Sequence, residues 1–256
     1  MSLVQIDGIS VVRGNFGECF FCDNLDPIHG MPSLSEKAFD EIITDPPYNI
    51  EAKITKGEHY NNRRNNNQSI DTYDDHILDY PAFSHRWFNE AKRIANYIMF
   101  TCGRMNKRMW YQMEDFKEMI WYIPNSPSRG YTSNFLYYEP ILCYGNYGMH
   151  RVKSDVIKVN SLLGILLKKR RDLDVNHPHP KPLKLYDILI RESKPKSVLD
   201  CFAGSCRIGH IAERYGIKWR AYEINSRYIP LIQREIQAGM KEHQQTSLDF
   251  LIRKKK

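Results

Sequence analysis

A short apolar run stopped by two successive prolines constrains this chain more than any other feature. Phe39 to Ile43 is compact and branched enough for a buried strand, and Thr44-Asp45-Pro46-Pro47-Tyr48 follows at once. Prolines cannot donate to a ladder and hold φ near about −65°, and Pro47 drives Pro46 towards an extended conformation. A carboxylate, a donor-free carbonyl pair and an aromatic ring are thereby held at a strand's carboxyl end. That edge is where open α/β sheets bind ligands.

An ordinary strand-to-loop turn would also use Asp and Pro. Beyond that, the chemistry suited to the cluster is narrow. An exocyclic amine on a nucleobase is a poor nucleophile, because its lone pair is delocalised into the ring. Asp45 offers charged acceptors and the Pro46 carbonyl another, neither with a competing donor. Two acceptors on one NH2 would orient it and stabilise the positive charge that develops as it attacks. Tyr48 supplies a face on which an extruded base can stack, worth about 1–3 kcal/mol.

A second motif lies near the other end. Lys196 to Ala212, with Asp200, Phe202, Gly204, Cys206 and Arg207, reads as strand, tight glycine turn and helix start. The next strand, Trp219 to Tyr222, delivers Glu223 at 19 residues beyond Gly204. A carboxylate at that offset can accept both hydroxyls of a ribose, although the glycine pattern alone does not say which nucleoside. A plain βα turn would look similar. Together the motifs predict two loop tips facing each other across one cleft.

Further strands are expected at 2–6, 18–22, 96–101, 119–123 and 135–144, with helices at 81–95, 105–116 and 183–192. This is an α/β pattern, read as one domain over 1–256. The Asn-rich stretch 51–76, carrying Arg63 and Arg64, reads as a mobile loop beside the Asp45 edge. It is either a solvated insertion or a phosphate contact. Residues 146–176, basic around Lys168 to Arg171, read as a peripheral excursion, either a solvated face or a DNA-facing recognition segment. The tail Arg253 to Lys256 reads as a frayed end.

A net charge of +7 and a pI near 9.0 suit a polyanionic partner, though a merely soluble protein can carry as much. No apolar stretch approaches the roughly 18 residues of a membrane span, and no secretion signal opens the chain. Six cysteines sit mostly in apolar runs, as reduced core thiols of a cytoplasmic protein would. Cys19-Phe-Phe-Cys22 is half a zinc site with no second pair, so no metal is expected.

The order of the two motifs resembles the β-group of amino-methyltransferases, which act on DNA adenine N6 or cytosine N4. In that group Asp-Pro-Pro-Tyr precedes the Phe-x-Gly-x-Gly cofactor loop, as positions 45–48 precede 202–206 here. His177-Pro178-His179-Pro180-Lys181-Pro182, Cys22-Asp23-Asn24-Leu25 and the Glu139-Pro140 strand resemble further family elements. The resemblance implies a Rossmann-like methyltransferase fold with a mostly parallel sheet, helices on both faces and a circularly permuted motif order. It implies S-adenosylmethionine as cofactor and double-stranded DNA as partner, in a restriction-modification setting, without a membrane and with a homodimer left open.

By motif match, Asp45, Pro46, Pro47 and Tyr48 are catalytic, with Asp45 also facing the cofactor. Glu223 would hold the ribose and Asp23 the cofactor adenine, while Asp200, Phe202 and Gly204 frame the methionine end. His177, His179 and Lys181 would lie near the carboxylate. Asp45 in place of Ser favours adenine N6 in a flipped base; cytosine N4, RNA, or a non-catalytic nucleic-acid-binding scaffold are the alternatives. The chain departs from the family at Cys206, where glycine is usual, at Arg207, where a small hydroxyl is usual, and at His179 and Pro180. Cys206 predicts a negative φ at that point of the turn.

Overall fold

The computed structural model describes residues 1–49, 77–126, 136–145, 153–161 and 181–254. The 51–76 stretch with Arg63 and Arg64, the Lys168 to Arg171 cluster, and His177 and His179 lie outside the described residues.

The strands are β1 (Ser2–Ile6), β2 (Ile9–Arg13), β3 (Gly17–Phe20), β4 (Phe39–Thr44), β5 (Ala95–Thr101), β6 (Lys117–Tyr122), β7 (Tyr138–Gly145), β8 (Val156–Lys158), β9 (Ser197–Asp200) and β10 (Lys218–Tyr222). The helices are α1 (Tyr80–Ile94), α2 (Lys107–Met113), α3 (Leu183–Ser193), α4 (Arg207–Tyr215) and α5 (Ile229–Lys254). Among the described residues the ten strands join one sheet in the order β1-β2-β3-β10-β9-β4-β5-β7-β6-β8. Its centre, β3-β10-β9-β4-β5, is wholly parallel, and antiparallel pairs flank it.

Both faces of this centre are covered, which explains why its strands are apolar without interruption. Ile43, Met99 and Val198 point into a core shared with Leu185, Tyr186, Ile208, Ile211 and Ile232 of α3, α4 and α5. Their neighbours Ile42, Ile98, Phe100 and Leu199 point the other way, against Trp87, Phe88 and Ile94 of α1 and Trp110 of α2. The aromatic cluster there is dense, with Phe100 and Trp110 rings 4.7 Å apart. Asp79 caps α1 by accepting from Ala82 N–H, and Pro81 fills its first turn, where no donor is needed.

The position of the site follows from this topology. From β4 the chain crosses through α1 on one face to β5; from β9 it crosses through α4 on the other face to β10. Adjacent β4 and β9 therefore send their carboxyl-end loops apart, which opens a crevice between them. The pair is also tied at its opposite end. Lys196 N–H donates to Asp40 Oδ2 at 2.7 Å, and Ser193 donates to the buried Glu41 at 2.7 Å.

Three expectations need correction. Residues 153–161 are not peripheral: β8 pairs parallel with β6, Ile157 and Val159 are buried, and Trp121 Nε1 donates to Val159 O at 2.9 Å. The alternating apolar residues of this short strand are masked in sequence by the basic residues around it. Of the tail Arg253 to Lys256, the described residues Arg253 and Lys254 continue α5. The third concerns Cys206, whose φ is +57°, in the left-handed region. Such a conformation costs a β-carbon about 1–2 kcal/mol. Cys206 is nonetheless fully buried, and its sulfur fills the space left by the absent side chain of Gly209.

Candidate active site

The carboxyl ends of β4 and β9 are joined by one hydroxyl. Thr44 donates to Asp200 Oδ1 at 2.7 Å and accepts from Phe202 N–H at 3.2 Å. The two loop tips, 155 residues apart in sequence by subtraction of 45 from 200, are thus neighbours. Asn24, after β3, adds a third strand end by donating to Cys201 O at 2.9 Å. Asp23 stands exposed beside it and accepts from Leu25 N–H.

On the β4 tip, Asp45 is the centre of a cluster drawn from four segments. The Tyr48 hydroxyl lies 2.9 Å from its Oδ1, to which Thr101 at the end of β5 also donates. Lys181, just before α3, donates to Oδ2 at 2.7 Å and lies 5.0 Å from the Tyr48 ring centroid. Glu139 of β7 is 3.5 Å from the same ammonium. Burial opposes the Lys181 charge, but Asp45 and Glu139 outweigh it and hold its pKa above the ordinary lysine value. Lys181 therefore stays cationic and Asp45 has a permanent counter-ion.

The proline turn is braced from below. Tyr80 donates to Pro47 O at 2.9 Å and Asn106 donates to Tyr48 O. A β-carbon on Gly103 would stand 3.3 Å from Tyr48 Cβ, so glycine there lets the two tips close. Asn106 spends its amide on this brace and provides no cap to α2, which is shorter than its sequence suggests. Among the described residues nothing donates to the Pro46 carbonyl. Downstream, Asn49 takes a left-handed turn and clasps Ile77, donating to its carbonyl at 3.2 Å and accepting from its N–H at 2.8 Å.

On the β9 and β10 tips the carboxylates are held by backbone. Asp200 is buried, which pushes its pKa up to about 7 against the opposing bonds from Thr44 and Phe202 N–H. Glu223 accepts Gly204 N–H at 2.7 Å on one oxygen and Asn225 N–H at 2.8 Å on the other. Burial again dominates and raises it to about 7. Gly204 has φ +50°. Phe202 packs edge-on to Trp87 with centroids 5.4 Å apart. Arg207 opens α4 and donates to Lys181 O at 2.7 Å, so the residue that departs from the family grips the backbone of the lysine facing Asp45.

The strand ends thus bring together Asp45, Pro46, Pro47, Tyr48 and Lys181 on one side and Asp200, Phe202, Gly204 and Glu223 on the other. A family model described as DNA methylase, for N6 and N4 methyltransferases, matches residues 39–234, which span both tips. This chain belongs to that DNA methylase family. It is a DNA amino-methyltransferase of the N6/N4 group. The methylase is similar in fold to the cytosine-N4-specific PvuII DNA methyltransferase, with a TM-score of 0.56 and 14% identity over 90% of this chain and 92% of that one. It is also similar to M1.HpyAVI in a complex with SAM, with a TM-score of 0.52 and 17% identity over 88% and 98%.

Sequence reasoning missed Thr44, Thr101, Asn24 and Asn106. Thr44 and Thr101 end adjacent parallel strands, and that placement was the available signal. Lys181, expected near a cofactor carboxylate, places its ammonium against Asp45.

Proposed function

We propose that this methylase transfers a methyl group from S-adenosylmethionine to the N6 amine of an adenine flipped out of double-stranded DNA. One observation carries the reading: an Asp45 carboxylate beside a Pro46 carbonyl that takes no donor among the described residues, at the switch point, joined through Thr44 and Asp200 to a glycine turn and a ribose-type carboxylate.

The residues present fit a nucleoside sulfonium. Glu223 is held by the Gly204 and Asn225 N–H groups, one on each oxygen, and presents acceptors to the hydroxyls of a cis-diol. Gly204 offers backbone without a side chain, Asp23 is exposed near the β3 tip, and Asp200 and Phe202 form the floor between them. When bound, the cofactor supplies the electrophilic methyl carbon.

Everything else falls to the chain. Asp45 and the Pro46 carbonyl accept the two amine hydrogens, which aims the nitrogen lone pair and stabilises its growing positive charge. The Tyr48 ring gives the extruded base a stacking face. Thr101 and Lys181 keep Asp45 oriented. The net positive charge of the chain favours approach to the DNA backbone. Aspartate at the motif's first position supports adenine over cytosine.

Incubation of the protein with tritiated S-adenosylmethionine and DNA, followed by nucleoside analysis, tests the reading. Label is expected on N6-methyladenine. Label on N4-methylcytosine would move the assignment to the other base, and cofactor binding without labelled DNA would favour the scaffold alternative.

A further inference from the structure

Glu139 has no role in the reading above, yet its carboxylate stands inside the Asp45 cluster. Pairing of Thr101 with Ile141 brings β7 alongside β5, so residue 139 reaches the carboxyl end of the parallel centre. There Glu139 Oε2 lies 3.0 Å from the Tyr48 hydroxyl, and Asp45 Oδ1 lies 2.9 Å from the same hydroxyl. A phenol has one proton and can serve only one of these carboxylates at a time. Lys181 is divided in the same way, at 2.7 Å from Asp45 and 3.5 Å from Glu139. Every donor on Asp45 from Tyr48 and Lys181 thus has a second acceptor waiting.

The electrostatics point the same way. Lys181 alone would neutralise Asp45, and a neutral pair gives little help to an amine that turns cationic. Glu139 restores a net negative charge beside it. Burial, then Asp45 and Glu139, hold the Tyr48 phenol far above its ordinary pKa, so it remains a neutral donor throughout.

We propose that Glu139 is a positioning residue for methyl transfer: it takes the Tyr48 hydroxyl when the target amine donates to Asp45, and it terminates the route by which the amine proton leaves. The inference rests on the amino-methyltransferase reading. As the N–C bond forms, the S–C bond breaks and its electron pair stays on sulfur. The cationic nitrogen then gives one proton to Asp45 Oδ1. Asp45 passes that proton to the Tyr48 oxygen as the phenol's own proton moves to Glu139 Oε2. The Glu139 side chain is 30% exposed, so the proton reaches water and both carboxylates return to their starting state. No further reactant is consumed.

Single-turnover rates of methyl transfer to unmethylated DNA of mixed sequence, with cofactor affinity measured separately by calorimetry, test the proposal on the full chain. Glu139→Gln keeps the shape and removes the charge. It is expected to slow transfer by about 100-fold, in the range of a lost proton acceptor, with cofactor affinity and melting temperature unchanged. Glu139→Asp should recover part of the rate. Tyr48→Phe combined with Glu139→Gln should be no slower than the slower single variant, because both cut one route. A near-normal rate in Glu139→Gln, or losses that multiply in the double variant, would overturn the relay. A wild-type protein that binds cofactor and labels no DNA would instead overturn the transferase reading beneath it.

Discussion

The two loop tips that meet at the switch point are built on opposite plans. The Asp45 tip is braced by side chains from distant segments: Thr101, Glu139 and Lys181 converge on a carboxylate and its tyrosine. The Gly204 and Glu223 tip is braced mainly by its own backbone, with N–H groups of Phe202, Gly204 and Asn225 holding both acids. An ammonium stands against the first acid, whereas burial lifts Asp200 and Glu223 to about 7. The second tip therefore owes its geometry mainly to backbone.

The largest expected effect separates the two tips outright. Asp45→Ala should lower methyl transfer by about 1000-fold, the scale of losing a preorganised charge-stabilising group, while calorimetric cofactor affinity stays within a few-fold. Substantial residual turnover would remove Asp45 from the chemistry. Next is the bond that joins the tips. Thr44→Val keeps the volume but strips Asp200 of a donor in a buried setting, and should cost about 1–3 kcal/mol in urea denaturation.

A smaller effect tests the second tip by pH. A raised carboxyl pKa means that the folded protein holds its proton more tightly than the unfolded chain, so Asp200 and Glu223 stabilise the fold at low pH. That contribution fades as pH rises through about 7. Hydroxyl binding needs the Glu223 anion, so cofactor affinity should fall about tenfold per pH unit below that value and become flat in Glu223→Gln. Titration calorimetry at several pH values checks it. The smallest effect concerns the left-handed cysteine. Cys206→Gly relieves the backbone but empties a buried sulfur site and loosens the unfolded chain, so the melting curve should shift by the equivalent of less than about 1 kcal/mol. A large loss would mean that the sulfur packing matters more than the turn.

Legibility in the sequence follows the same division. β4, α1, β5, and the β9-α4-β10 unit were readable, because each combines a strong apolar period with proline or glycine punctuation. The residues at the Gly204 tip were readable too, since their contacts are local. Those around Asp45 were only half so. Nothing near Lys181 in sequence says that its ammonium will meet a carboxylate 136 residues away, or that Glu139 will share it. β2 and α5 escaped notice because short or strongly polar patterns acquire meaning only from what they pack against. Gly14 and Glu213 show this well: the Glu213 carboxylate pins the Asn15 and Phe16 N–H groups and Trp219 Nε1 in one knot.

The clasp between Asn49 and Ile77 ties the far end of the proline turn to the residues that lead into α1. The turn is therefore moored on both sides, by β4 before it and by the start of α1 after it, and its shape is fixed by the residues at its own two ends.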